Sequence, residues 1–389
     1  MRRAAGTLAV AMLCAALSAA HPSAQAPSAA QIETAIGRLG SFEFDVRTEA
    51  ARLLRRAPAD AVVPALAAAA RSHRDEYVRY RALVLLSGFG GPPAAAAMDA
   101  LKTDRNDRLR TVAFSWYAHH PDPAVLPTML AEAEKEHSEF VRPALTRALA
   151  ALAGKDPRAR AALRPLVMRG EDFFRGAVID ALGDYGGAYA LPDIVEVAKL
   201  DGPLQDDAIS AIGKLGDRSL VPVLGVIQTS APPELQPTIA AALCLLGEKC
   251  AETDAYLVQV LRFGASAEGQ QPLVRGAAHA LGLLASRGRA SALAVLLDRG
   301  VPAFDPVRSP LALAAGLVAL RDPMLLLTEL EKRPDRQGVV ELLRDAFDML
   351  AEDFEEERFY VQIRRAYWAA PDGSPRRDVA RLLIELLEF

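Results

Sequence analysis

The sequence predicts an all-α fold, an α-solenoid of about ten helical hairpins, and three observations carry that expectation. First, residues 173–197 read FFRGAVIDALGDYGGAYALPDIVEV, and variants of this text recur along the 389-residue chain. Aligning the units on the small residue at the Leu-Gly position places Ser87, Ala118, Ala150, Gly183, Gly213, Cys244, Gly282 and Gly316 in register, 30 to 38 residues apart. That period is the mark of a stacked array in which each unit touches only its neighbours. Second, apolar residues inside a unit follow a helical spacing, as in Val78, Ala82, Leu85 and Leu86, or Phe174, Val178, Ala181 and Leu182. Third, aromatics are only 6% of the chain and Ala is abundant, which suits closely packed helices better than sheet.

In chain order, residues 1–26 read as a cleaved secretory signal peptide. Arg2 and Arg3 supply its basic start, residues 8–20 an apolar core short for a bilayer, and Ala20 or Ala26 ends a small-residue cleavage site. An uncleaved anchor or an Ala-rich tail is the alternative. Cys14 follows Leu13, which is unlike a lipid-attachment signal. Residues 27–40 form a lead-in, 41–350 the array and 351–389 capping helices. The expected location is the periplasm or the exterior, with no stable membrane insertion after cleavage.

Cleavage removes two Arg and no acid, moving the formal charge from −4 to −6. An acidic surface is a poor match for nucleic acid. It also leaves two cysteines, Cys244 and Cys250, for which an oxidising compartment favours a disulfide over a pair of buried thiols.

Each unit reads as two helices. Eight residues before the small position stand Arg79, Arg110, Arg142, Arg175, Gln205, Gln236 and Arg308, whereas Arg275 stands seven before it. Arg47 extends the series, but Arg55 then occupies the small position and breaks the pattern. Glu76, Asp107, Glu139, Asp172 and Asp305 precede the Arg by three and are expected to cap the first helix. Asp122-Pro123, Asp156-Pro157 and Asp322-Pro323 read as a cap and first residue of the second. An Arg in a first turn opposes the helix dipole, so its recurrence needs a reason. Stacking would align Arg79, Arg110, Arg142 and Arg175 with Glu76, Asp107, Glu139 and Asp172 as a structural ladder bridging neighbouring loops; the alternative is a binding edge. The small position is expected to let the paired helices approach closely, and ten pairs at 8–10 Å each would give a curved particle on the order of 90 Å long.

The pattern V-R-x-x-A-x-x-A-L-G-x-x-G-D-x-x-A-x-P-x-L, best matched by FRGAVIDALGDYGGAYALPDI and LQDDAISAIGKLGDRSLVPVL, resembles the HEAT-repeat family in the short form also found in phycobilin lyases. The resemblance covers roughly residues 40–350. It implies a right-handed superhelix that holds other proteins, with the second helices lining the concave side, and carries over no enzymatic activity.

Catalytic, metal and cofactor residues are therefore expected to be none. His119, His120 and Asp122 close a first helix, and Glu132, Glu134, Glu136 and His137 end a second; a solvated helix end explains the latter better than a divalent-metal site. His279 lies among apolar residues as a core or groove histidine. Phe359, Tyr360, Tyr367 and Trp368 either cap the array or present a binding patch. Two functions follow: a non-enzymatic exported scaffold, taken as a monomer, that binds a protein or peptide along the concave face, or a lyase-like enzyme accessory that handles a small ligand.

Overall fold

A computed structural model describes residues 26–389. The export signal, Cys14 and the Ala20 site lie outside the described residues. Within them every regular element is helical. After α1 (Ala29–Arg38) come nine hairpins of a first and a second helix. They pair α2 (Phe44–Arg56) with α3 (Ala59–Ser72), α4 (Glu76–Phe89) with α5 (Gly91–Leu101), and α6 (Asp107–His119) with α7 (Leu126–Lys135). Next are α8 (Val141–Ala153) with α9 (Pro157–Leu163), α10 (Asp172–Asp184) with α11 (Leu191–Lys199), and α12 (Gln205–Leu215) with α13 (Val221–Ser230). The last three are α14 (Gln236–Leu245) with α15 (Cys250–Ser266), α16 (Gln271–Ser286) with α17 (Ala290–Gly300), and α18 (Arg308–Arg321) with α19 (Pro323–Glu331). The chain closes with α20 (Arg336–Leu350), α21 (Asp353–Ala369) and α22 (Pro375–Leu386).

The helix starts follow from local chemistry, with one correction. Asp156 and Asp322 accept backbone N–H bonds at the starts of α9 and α19, with Pro as the first helical residue. The first helices α4 and α6 are capped by Asp75 and Asn106, not by Glu76 and Asp107, which already lie inside the helix. Asp172 is likewise the first residue of α10, and Glu139 precedes α8 without a capping bond. Released from capping, Glu76 accepts from Arg105, and Asp107 accepts from Ser138, each in the loop of the next unit.

The recurring Arg and Gln mostly point backwards. Arg79 Nε donates to Ala70 O at 3.0 Å, Arg175 Nε to Val167 O at 3.0 Å, Gln205 Nε2 to Ala198 O at 3.0 Å, and Gln236 Nε2 to Gln228 O at 2.9 Å. Arg308 donates to Gly300 O and Val301 O, and Arg47 to Ser41 O and Phe42 O. Apart from Arg47, whose partners lie in the loop before its own helix, these side chains reach carbonyls at the end of the preceding second helix or the turn that follows it. The common need is a donor rather than a charge, which is why Gln serves at two positions. Arg79 also meets Asp104 ahead of it, and Arg110 donates back to Asp104 O and Arg105 O while pairing ahead with Glu136 at 2.8 Å, so these two bridge the loops on either side; Arg142 departs from the series and lies over the Phe174 ring at 3.8 Å.

Successive first helices pack directly on one another from α4 to α20, whereas the second helices are spread apart. The first helices therefore form the inner layer of the curve. The expectation that second helices line the concave side is overturned, and the small position shows why. A Cβ on Gly183 would stand 3.0 Å from Ala211 Cα, and one on Gly213 2.9 Å from Ala242 Cα. These are approaches between consecutive first helices, not within a hairpin.

The curve is strong enough to bring its ends together. Helix α21 packs against α4 and α6 as well as α18. Phe354 is buried in the core of the first hairpins, while Phe359 is buried with Phe347 and Phe389 in that of the last. Helix α21 thus covers the last hairpins together with α22 and also reaches the first ones, clasping the two ends.

Candidate functional site

A single stripe of each first helix faces the concavity. Relative to the small position it comprises the residues seven before, three before and one after, which share a helix face. In α10 these are Gly176, Asp180 and Asp184; in α12, Asp206, Ser210 and Lys214; in α16, Arg275, His279 and Leu283; in α18, Ser309, Leu313 and Leu317. Packing fixes the neighbouring positions, but the stripe varies freely from unit to unit.

Over the first hairpins α21 covers the stripe. Arg55 and Glu357 pair at 2.8 Å with side chains 6% and 1% exposed. Arg81 meets Asp353 at 2.7 Å, and His119 meets Glu355 at 2.8 Å. Burial opposes ionisation of Glu355, yet hydrogen bonding and charge from His119, with Arg358 beyond, pull its pKa down to about 2. Glu356 is pushed up to about 7 by burial and then by Asp353. Gly88 completes the fit, since a Cβ there would stand 2.5 Å from Glu357 Oε1. Of the four aromatics near the C-terminus, Tyr360 meets Arg55 at this seam, Phe359 is buried in the core of the last hairpins, and Trp368 is 75% exposed.

Beyond α21 the stripe is open. Helices α10, α12, α16 and α18 enclose a cavity of about 620 Å³. Its polar floor joins Lys214 to Asp180 at 3.1 Å and to Asp184 at 2.9 Å, and Asp184 to Arg321 at 2.8 Å, bridging units far apart in sequence. Its apolar wall is built from Leu283, Pro306, Pro310, Leu313 and Leu317. A second hollow of about 440 Å³, with Phe173 and Arg147 on its rim, adjoins the first at Asp180 and Arg321.

His279 is a groove histidine: its Nε2 lies 2.9 Å from Ser210 Oγ and 3.5 Å from Asp206. The three residue types are those of a hydrolytic triad, but the arrangement differs. A triad sets the carboxylate and the hydroxyl on opposite ring nitrogens. Here both meet the same nitrogen, and Ser210 is 1% exposed. Asp207, behind this group, is pushed up to about 6 by burial and then by Asp180 and Asp206.

The Arg79, Arg110 and Arg175 series sits at the junctions between units, away from this cavity, and so do Glu76 and Asp107, whereas Asp172 lines the second hollow. Cys244 and Cys250 are joined by a disulfide with Cα atoms 4.5 Å apart. Glu132 pairs with Lys135, and Glu136 is held by Arg110. Among the described residues no three His, Cys, Asp or Glu are placed to hold a metal ion. Nor is any single helix there long and apolar enough to cross a membrane.

Residues 32–118 match a family model described as HEAT repeats. No match was found among curated proteins. Three solved structures are similar in part. The YibA protein of Escherichia coli aligns with a TM-score of 0.41 at 18% identity, over 57% of this chain and 83% of that one. The complex of CpcE and CpcF of phycocyanin lyase from Nostoc sp. PCC7120 aligns at 0.40 and 15%, over 67% and 96%. Importin beta aligns at 0.39 and 15%, over 92% and 52%.

Proposed function

For this α-solenoid, whose residues 32–118 match HEAT repeats, we propose the role of an exported, non-enzymatic scaffold that holds a protein or peptide against the open half of its concave face. The observation that carries the reading is the exposure of Phe173 and Leu317, 58% and 44%, on a concave wall that also presents charged side chains. Stacking does not require large apolar groups there, and apolar anchors ringed by polar groups are what recognition surfaces use. The acidic balance of the chain favours a protein partner over nucleic acid. Export rests on the first 26 residues, and a mature N-terminus between His21 and Ser28 is the expected product.

A second reading has one observation in its favour: a cavity of about 620 Å³ is of the size that holds a small organic molecule. Site-specific photocrosslinking separates the two. A crosslinker at Leu317 should trap one discrete polypeptide, while one at Val226, exposed on a second helix, should not. Equal labelling from both positions, or a small-molecule adduct from Leu317 alone, would defeat the scaffold reading.

A further inference from the structure

Arg275 is the one member of the Arg series that stands a residue out of register. In units where that side chain occupies the position eight before the small residue, it bonds backwards to the preceding helix, as Arg79, Arg175 and Gln205 do. In α16 that position is Val274, 1% exposed, and Arg275 follows it. A shift of one residue turns a helical side chain by about 100°. Arg275 is thereby moved from the junction to the concave stripe, where it lines the cavity wall one turn from His279.

Apart from Asp305, the other charges around that cavity are already matched. Lys214 is bonded to Asp180 and Asp184, and Arg321 to Asp184. His279 faces Asp206, and Asp305 accepts from the Ser309 backbone. Among the described residues Arg275 makes no hydrogen bond or ion pair, and it is exposed on the wall of the cavity that Leu283, Leu313 and Leu317 line further along.

We infer that Arg275 binds a carboxylate carried on an apolar body, so that the occupant of this cavity is a peptide segment pairing an acidic group with an aliphatic or aromatic side chain. The planar guanidinium takes both carboxylate oxygens, and the leucine wall takes the neighbouring side chain. The carboxylate comes from an Asp or Glu side chain or from a peptide C-terminus, and both have the same chemistry. This deepens the peptide-binding reading and rests on it.

The test pans a random peptide library against the full-length protein and its Arg275→Glu variant, then measures the selected sequences as synthetic peptides by fluorescence anisotropy. The wild type should enrich peptides with an acidic group next to Leu, Phe or Met, and Arg275→Glu should replace the acid with Lys or Arg. Arg275→Gln should weaken the selected peptides about tenfold, the usual scale for a lost charged hydrogen bond. Leu317→Asp should weaken them too. Free-acid against amidated C-termini, and Glu against Gln, tell which carboxylate is read. Enrichment with no acidic preference and no effect of Arg275→Gln overturns the inference and leaves the peptide reading intact. No enrichment over an unrelated protein overturns both. Arg275 bonds nothing in the fold, so unchanged thermal melting of its variants is expected and verifies that they fold.

Discussion

Arg55 and Glu357 stand 302 residues apart in the chain and form an ion pair at 2.8 Å in which both side chains are almost fully buried. It fastens α21 to the inner face of the first hairpins. Removing one partner of such a pair leaves a buried charge uncompensated, which costs about 3 kcal/mol. Arg55→Met and Glu357→Gln should each lose about that much in chemical denaturation and raise the radius of gyration in solution scattering. The double replacement Arg55→Met with Glu357→Leu should recover part of the loss. Additive losses would mean that the two residues are not coupled.

How far the sequence discloses this molecule depends on what each residue answers to. Gly183 and Gly213 answer to the next unit, and since every unit has such a neighbour the period and the helices are visible in one chain. Arg55 answers to Glu357, outside the period, so it reads only as a broken repeat. The same holds for Tyr80, whose hydroxyl bonds Asp353, and for His119. Departures from the pattern thus mark where α21 docks. The cavity was legible in principle as the stripe beside the Arg position, where Asp180, Lys214, His279 and Leu317 vary while packing residues repeat. Placing that stripe inside the curve required knowing which helices touch their successors.

Arg175 tests the role of the recurring donor. Its Nε bonds Val167 O, and its guanidinium also meets Asp172 at 2.9 Å. Arg175→Leu should destabilise the protein by about 1 kcal/mol, because a carbonyl loses its partner. Arg175→Gln should cost distinctly less, since Gln205 and Gln236 serve in the same way. Equal losses for the two variants, read from urea midpoints, would show that charge rather than donation matters.

Asp207 should make stability depend on pH. Its folded pKa, about 6, lies above the ordinary value of 3.8, so between these values the native state binds more protons than the unfolded one. Stability is then fullest below pH 4 as far as this group is concerned, and is lost as pH rises through 6. Asp207→Asn removes the buried charge with little change of shape. It should raise stability at pH 7.5 by about 1–2 kcal/mol and have little effect near pH 4. Glu356 should add a loss of the same sign up to about pH 7, and Glu355, pulled down to about 2, one of opposite sign below pH 4.5. A pH-independent effect of Asp207→Asn would contradict the assignment.

The Cys244–Cys250 bond closes a short loop between α14 and α15. Chain-entropy reasoning limits its worth to about 2 kcal/mol, because so few residues are enclosed. Cys244 also occupies the small position of its unit, 5% exposed, with Arg289 Nη1 3.0 Å from its sulfur and Arg289 Nη2 3.0 Å from Asp254. Those contacts hold the α14–α15 corner independently of the bond. Cys250→Ser should therefore lower the denaturation midpoint modestly and leave helix content unchanged by circular dichroism. In mature protein unfolded without reductant, a thiol reagent should find nothing to label, and two thiols should appear on reduction. Two thiols labelled before reduction would show that the bond does not form in the native compartment, and would remove one support for export with it.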